Sequence, residues 1–218
     1  MQRTLYHGSE KIIEKPQYGF GNIHNDYGLG FYCCTQKKLG KEWASRKNDN
    51  GFVNQYTLRD DNFKILDLTK PPYDDVFVWI ALLMHNRNIS QDLKERCKRE
   101  LKYLEEHYLI EISNYDVVIG YRADDAYFQF PSAFVRSEIT LESLKQIYQA
   151  GNLGKQYVLI SKRAFDNIKF VKYEKSSAQQ KQDYYQRVDN ANKLYNDLLE
   201  QDKYTKGTRL IDLVRDNE

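Results

Sequence analysis

Three short runs carry the side chains best suited to chemistry: Tyr6-His7-Gly8-Ser9, Gly28-Leu29-Gly30-Phe31-Tyr32, and Gln156-Tyr157-Val158 far downstream. His7 supplies an imidazole that titrates near neutral pH, and Gly8 beside it lacks the Cβ that would keep a ligand off the backbone. That backbone offers an N–H and a C=O together, the pairing an amide requires; taken alone, a His-Gly pair is better read as a strand that simply ends. Gly28 and Gly30 permit a tight approach before an aromatic. They lack the third glycine and crossover helix of a dinucleotide-binding fingerprint. Tyr32 and Trp43 stand across an elbow and one helix, where two rings facing one slot would hold a planar cationic ring by stacking and cation–π attraction. Two core aromatics are the alternative.

Composition narrows the setting. The 218 residues carry a net charge of +2, with 41% hydrophobic and 29% charged residues, as expected for one globular domain with room for a core. So small a net charge gives no strong global field to draw in nucleic acid or an anionic membrane. Cys33, Cys34 and Cys97 are odd in number and two are adjacent, which argues against a disulfide framework and for a reducing compartment. No Cys-x-x-Cys pair points to zinc, no apolar leader opens the chain, and no run approaches the length of a membrane span. A cytoplasmic protein without membrane contact is the expectation.

The elements that must position these residues follow from periodicity and punctuation. Strands are expected at 4–7, 30–34, 115–120, 156–161 and 168–173, with a hairpin formed by 52–58 and 63–68 around the turn Arg59-Asp60-Asp61-Asn62. Helices are expected from about 36 to 46 with Thr35 as N-cap, from 74 to 85, and from a Ser90 cap to 108 with Leu93, Cys97, Leu101 and Leu104 on one stripe. Two more run from near 125 to 136 and from a Thr140 cap to near Gly151. The polar segment from Ser176 to about Asp202 reads as a surface helix, and the apolar tail Arg209 to Val214 is expected to dock on the parent fold.

In order and content, Tyr6-His7-Gly8-Ser9, Gly28-Leu29-Gly30-Phe31-Tyr32, the helix ending at Trp43-Ala44 and Gln156-Tyr157-Val158-Leu159 resemble the His-Tyr-Glu class of ADP-ribosyltransferases. This is the diphtheria-toxin and poly(ADP-ribose)-polymerase branch, and within it the chain resembles a bacterial toxin-like family. The resemblance runs from about Arg3 to Tyr173. It implies an α+β fold: a split antiparallel β-sheet core with surrounding helices over residues 1–175, and a C-terminal helical extension over 176–218. It implies NAD+ as substrate, no metal, and transfer of single ADP-ribose units to a macromolecular acceptor, either protein or nucleic acid. His7, Tyr32 and Gln156 would be catalytic: His7 on the adenosine-side ribose, Tyr32 under the nicotinamide ring. Gly8 would grip the carboxamide, Trp43 would replace a second tyrosine, and Ser9 and Gly30 complete the motifs that cradle NAD+. Arg122 would meet the pyrophosphate.

Gln156 departs from the class, which carries glutamate there; an amide orients a ribose hydroxyl but brings no charge to an oxocarbenium ion. Glu138, Glu142 or the Asp124-Asp125 pair are candidate substitutes. Helix capping and a surface salt bridge account equally well for the Arg122–Asp125 segment. By analogy with the family, a toxin role restrained by an antitoxin partner is expected. Two other readings remain. One is a binding module that recognises NAD+ or ADP-ribose without turning it over. The other is a metal-dependent phosphodiesterase-like hydrolase built on Asp116, Asp124, Asp125 and a histidine.

Overall fold

The computed structural model describes residues 1–46, 51–72, 75–123, 126–149 and 154–217. Its strands are β1 (Gln2–Ser9), β2 (Phe31–Cys34), β3 (Phe52–Arg59), β4 (Ile65–Asp67), β5 (Val117–Tyr121), β6 (Lys155–Leu159) and β7 (Ile168–Lys175). Its helices are α1 (Lys37–Ala44), α2 (Val76–Asn86), α3 (Gln91–Arg96), α4 (Lys98–Tyr108), α5 (Gln129–Val135), α6 (Leu141–Gln149), α7 (Lys162–Asp166), α8 (Ala178–Asp202) and α9 (Leu210–Arg215).

The strands form one open mixed sheet in the order β4-β5-β6-β2-β1-β3-β7, antiparallel throughout except for the parallel pair β4/β5. Alternation sorts its two faces. Leu5, Phe31, Cys33, Tyr56, Val117, Ile119 and Leu159 meet in one apolar cluster. Val118 and Val158 face the larger one, with α2, α5 and Tyr27. The pairing of the central strands is uneven. β1 pairs with β3 from Gln2↔Arg59 to Ser9↔Phe52, whereas its pairing with β2 consists of Tyr6↔Cys34 alone. Beyond Tyr6 the two strands part.

The mixed α+β class is as expected, but several elements are not. The 52–58/63–68 hairpin does not form: β3 lies between β1 and β7, while β4 is the opposite edge of the sheet, beside β5. The turn is pulled apart from both ends. Asp60 binds the N-terminal amine at 3.1 Å and the Arg3 guanidinium. Lys64, by contrast, is held to Asp116 ahead of β5 by its N–H on Asp116 Oδ2 at 2.9 Å and its carbonyl under Asp116 N–H at 2.8 Å. Thr35 does not cap α1, which starts after Gln36; the helix spans 37–44 rather than 36–46. The helix expected from Ser90 to 108 breaks at Cys97 (φ −113°, ψ 33°) into α3 and α4, although Ser90 caps as expected, accepting from Leu93 N–H at 3.2 Å. The 125–136 helix begins at Gln129, its expected start at Asp125 lying outside the described residues, as does the Gly151 end of α6. Thr140 caps α6 by accepting from Ser143 N–H. The short α7 was not expected from the sequence pattern.

The C-terminal segment closes the larger cluster. α8 buries Tyr184, Ala191 and Leu198, and its last residue, Asp202, accepts from Thr140 N–H at 2.7 Å and Ser143 Oγ–H at 2.9 Å at the start of α6. α9 buries Leu210 and Val214, so the tail docks on the parent fold, a gain of about 1.5–3 kcal/mol for each large apolar side chain removed from water. Among the described residues no helix is long and apolar enough to cross a membrane.

Candidate active site

The parting of β1 and β2 is bridged by a side chain. His7 Nδ1 lies 2.6 Å from the carbonyl oxygen of Tyr32, and its ring stacks on Phe31 with centroids 4.4 Å apart. A carbonyl only accepts, so Nδ1 carries the proton and, in the neutral ring, Nε2 is left with a free lone pair. Burial holds the His7 pKa below its usual value, against the opposing pull of the Tyr32 carbonyl, and so favours that neutral form.

Gly8 is needed first for packing. A Cβ there would stand 2.2 Å from Gly40 O and 2.6 Å from Ala44 N, so only glycine lets α1 lie this close to β1. Its backbone has a second consequence. Tyr6 O accepts from Cys34 Sγ on the β2 side, and His7 O accepts from Asn54 Nδ2 on β3. Strand alternation therefore turns the N–H and C=O of Gly8 toward the β2 side, past the last ladder pair.

The Tyr32 hydroxyl donates to Gly28 O at 2.7 Å and accepts from Tyr27 N–H at 3.0 Å, closing the loop that enters β2. That turn requires Gly28, whose φ is +70°. Burial pushes the Tyr32 phenol pKa well up, so it stays a neutral donor. Tyr27, next in the loop, lies over Gly120 and donates to Tyr121 O at 2.7 Å.

Gln156 pairs with Cys34 across β2 and β6, and is buried on the same face as Tyr32. Its Nε2–H donates to Asp26 Oδ2 at 2.8 Å. Asp26, 5% exposed, also accepts from Ala123 N–H at 2.9 Å and pairs with Arg87 at 2.7 Å. Burial raises the Asp26 pKa above the usual carboxylate value, opposed by Arg87, the Ala123 N–H and Gln156. Sequence reasoning missed Asp26. It sits two residues before the Gly-rich run, but its partners are 61, 97 and 130 residues away, and no local pattern announces them.

These residues surround a cavity of about 420 Å³, within the usual size range of small-ligand sites. His7, Gly8, Gly30, Tyr32, Trp43, Arg122 and Gln156 all line it, together with Asp26, Arg46 and Arg87. Ser9 does not: its hydroxyl donates to Lys11 O and accepts from Asn54 Nδ2 at 3.1 Å, tying off the end of β1. Gly30 packs against β6, where a Cβ would meet Val158 Cγ1 at 2.6 Å. The Trp43 ring carries two guanidinium groups, Arg122 at 4.2 Å and Arg46 at 4.5 Å from its centroid.

Of the other nominated acids, Glu138, Glu142 and Asp116 lie apart from the cavity. Glu138 pairs with Arg136 at 2.9 Å, and Glu142 accepts from Thr208 N–H at 3.0 Å. Asp116 accepts from Ser161 Oγ–H at 2.6 Å and from Lys64 N–H, with Arg163 at 3.6 Å, so its carboxylate braces β5. Asp124 and Asp125 are outside the described residues. Among the described residues no cluster of three His, Cys, Asp or Glu could hold a metal ion.

No curated protein and no solved structure matches the chain. One family model does, over residues 3–170, a span that holds the cavity and all three motif runs and stops before α8. The chain belongs to that family, described as Protein of unknown function (DUF3990).

Proposed function

We propose that the protein is a mono-ADP-ribosyltransferase that consumes NAD+ in this cavity. The observation that carries the reading is the parting of β1 and β2, which gathers His7, Gly8, Tyr32, Gln156 and Asp26 around one space. The lining also fits an anionic substrate: among the described residues it holds three arginines, Arg46, Arg87 and Arg122, against one carboxylate, Asp26.

In this reading the Gly8 N–H and C=O pair with the nicotinamide carboxamide, completing the ladder that stops at Tyr6, and the Tyr32 ring packs against nicotinamide. His7 Nε2 accepts from a hydroxyl of the adenosine-side ribose, and Arg122 faces the pyrophosphate. The bond between nicotinamide N1 and ribose C1′ breaks, its electron pair leaving with neutral nicotinamide. The cationic C1′ is then taken by a nucleophile of the acceptor, which gives up its proton. Asp26 supplies the negative charge that Gln156 lacks, and Gln156 orients it. Holding NAD+ and placing this charge account for most of the rate. The acceptor is a macromolecule, and a toxin role rests on the resemblance alone.

A second reading has one observation in its favour. The Asp26 carboxylate is already engaged by Arg87, Ala123 N–H and Gln156, as befits a structural anchor, and the cavity would then bind NAD+ without turning it over. Nicotinamide release from NAD+ separates the two. Release by the wild type, lost in folded His7→Ala and Tyr32→Ala variants, supports the transferase; saturable NAD+ binding without release supports the binding module.

A further inference from the structure

We propose that the outer side of α1, with β7 beside it, is the surface on which a single-stranded nucleic acid lies, and that this strand is the acceptor of the transfer. The surface stands on charge and register; its role as acceptor site rests on the NAD+ reading above.

Three ammonium groups converge there on one carboxylate. Glu174 of β7 accepts from Lys37 Nζ–H, and lies 3.2 Å from Lys41 Nζ and 3.8 Å from Lys172 Nζ. Cations gathered this closely around one carboxylate are also within reach of one phosphate. All four side chains keep part of their surface in solvent. Three positive charges against one negative leave an excess of two, equal to the formal net charge of the whole chain, +2. A chain without a strong global field therefore has a local one. Lys37 and then Lys41 hold the Glu174 carboxyl below its usual range, in keeping with that positive surrounding. The other acid of α1, Glu42, is buried and paired with Arg187 of α8, so it does not answer these lysines.

A bulge in β7 brings the cluster together. β3 pairs Gln55 with Lys172 but Tyr56 with Phe170, which leaves Val171 as an extra residue. Phe170 stays against Tyr56 and its apolar cluster, while Lys172 and Glu174 turn to the face of Gln55 and Val53. α1 lies on that face: a Cβ on Gly40 would meet Val53 Cγ2 at 2.8 Å.

On α1, Lys37 and Lys41 are four residues apart and share one side. Leu39 and Trp43, two residues out of phase, share the opposite side and line the cavity. Lysines and cavity are thus separated by the width of one helix, about 10 Å. A polymer can cross that width, its backbone on the lysines and one unit in the cavity. A phosphodiester strand carries a charge at every nucleotide, which an ammonium meets as a point charge, and a base enters such a cavity only when unpaired. The base's nucleophile forms the bond to C1′ as the bond to nicotinamide breaks, and passes its proton to water.

The test measures binding of a fluorescein-labelled single-stranded DNA of about 20 nucleotides by anisotropy, at about 50 and about 200 mM salt. Polyglutamate of the same length is the comparison. The proteins are the wild type, the double variant Lys41→Gln/Lys172→Gln, Lys172→Gln alone and Glu174→Gln, each checked for folding by its melting curve. Lys172 lies on an edge strand and is 58% exposed, so its single variant serves if the double one does not fold. The expected result is salt-sensitive DNA binding that the double variant weakens by about tenfold at low salt, with a salt slope shallower by about 1.4. Glu174→Gln should bind DNA about threefold more tightly, a gain that a merely structural salt bridge would not give. Absence of DNA binding, or unchanged affinity in the folded lysine variants, overturns the surface even if NAD+ is consumed. Polyglutamate bound more tightly than DNA, with the same dependence on the lysines, overturns it in favour of an acidic protein segment. Lysine-dependent DNA binding by a protein that releases no nicotinamide from NAD+ supports the nucleic-acid surface and removes the transferase instead.

Discussion

Gln156 and Asp26 are joined by a 2.8 Å hydrogen bond across 130 residues of sequence, which places a buried carboxylate beside the position where the resemblance calls for a glutamate. If this carboxylate supplies the missing charge, Asp26→Asn lowers the rate of nicotinamide release by about 10²–10³ while leaving NAD+ affinity much less changed. The pH profile supplies a second readout. The raised Asp26 pKa means the active carboxylate forms only above the usual range, so the wild-type rate climbs with pH through a limb that Asp26→Asn abolishes. A folded Asp26→Asn with a wild-type rate would reduce Asp26 to an anchor.

His7 makes a stability prediction of definite sign. Its folded pKa lies below the reference 6.5, so between the folded value and 6.5 the unfolded chain binds a proton that the folded chain does not. Stability contributed by the neutral ring is therefore present above about 6.5 and lost as pH falls toward the folded value. Asp26 works in the opposite sense: between 3.8 and its raised folded value the folded chain holds the extra proton, and stability falls as pH rises. Urea midpoints measured down an acid series should show a slope below about pH 6.5 that His7→Gln reduces.

Tyr27 anchors the loop carrying Asp26, and Gly120 makes room for it. A Cβ at Gly120 would stand 2.0 Å from the Tyr27 hydroxyl, which itself donates to Tyr121 O at 2.7 Å. Gly120→Ala should displace the ring and cost about 1–3 kcal/mol, with a weakening of NAD+ binding that exceeds what lost stability alone produces. Tyr27→Phe, which keeps the ring and drops the hydroxyl, should cost about 1 kcal/mol.

The C-terminal extension reaches the site through α1. Arg187 of α8 pairs with Glu42, the neighbour of Trp43, at 3.0 Å, with side-chain exposures of 14% and 5%. Arg187→Met alone leaves a buried carboxylate without its counter-charge and should cost roughly 3 kcal/mol in urea unfolding. Glu42→Gln added to it should return part of that loss. Additive losses would show that the pair contributes nothing as a pair.

The range of the forces involved decides which features are legible in the sequence. Helix caps at Ser90 and Thr140 and the strands around His7, Tyr32 and Gln156 are local, and period and punctuation expose them. The partnership of β4 with β5 is not: it depends on Lys64 meeting Asp116, 52 residues away, and overrides a turn that reads well in isolation. The same division runs through the site. Seven nominated residues line one cavity because their motifs fix strand ends and, for Trp43, the helix that follows β2, whereas Asp26 needed three distant partners to become visible. Ser9 sits in the right motif, yet its hydroxyl is taken by Lys11 O, just past the end of β1, and by Asn54 of β3.

The central claim is tested most directly by incubating the purified protein with NAD+ labelled in its adenylate phosphate and a cell lysate, and measuring label in protein and nucleic acid separately. The account predicts that the wild type transfers label to one of these acceptor classes, and that folded His7→Ala and Asp26→Asn variants do not. A wild-type protein that neither binds NAD+ saturably nor transfers label would contradict it.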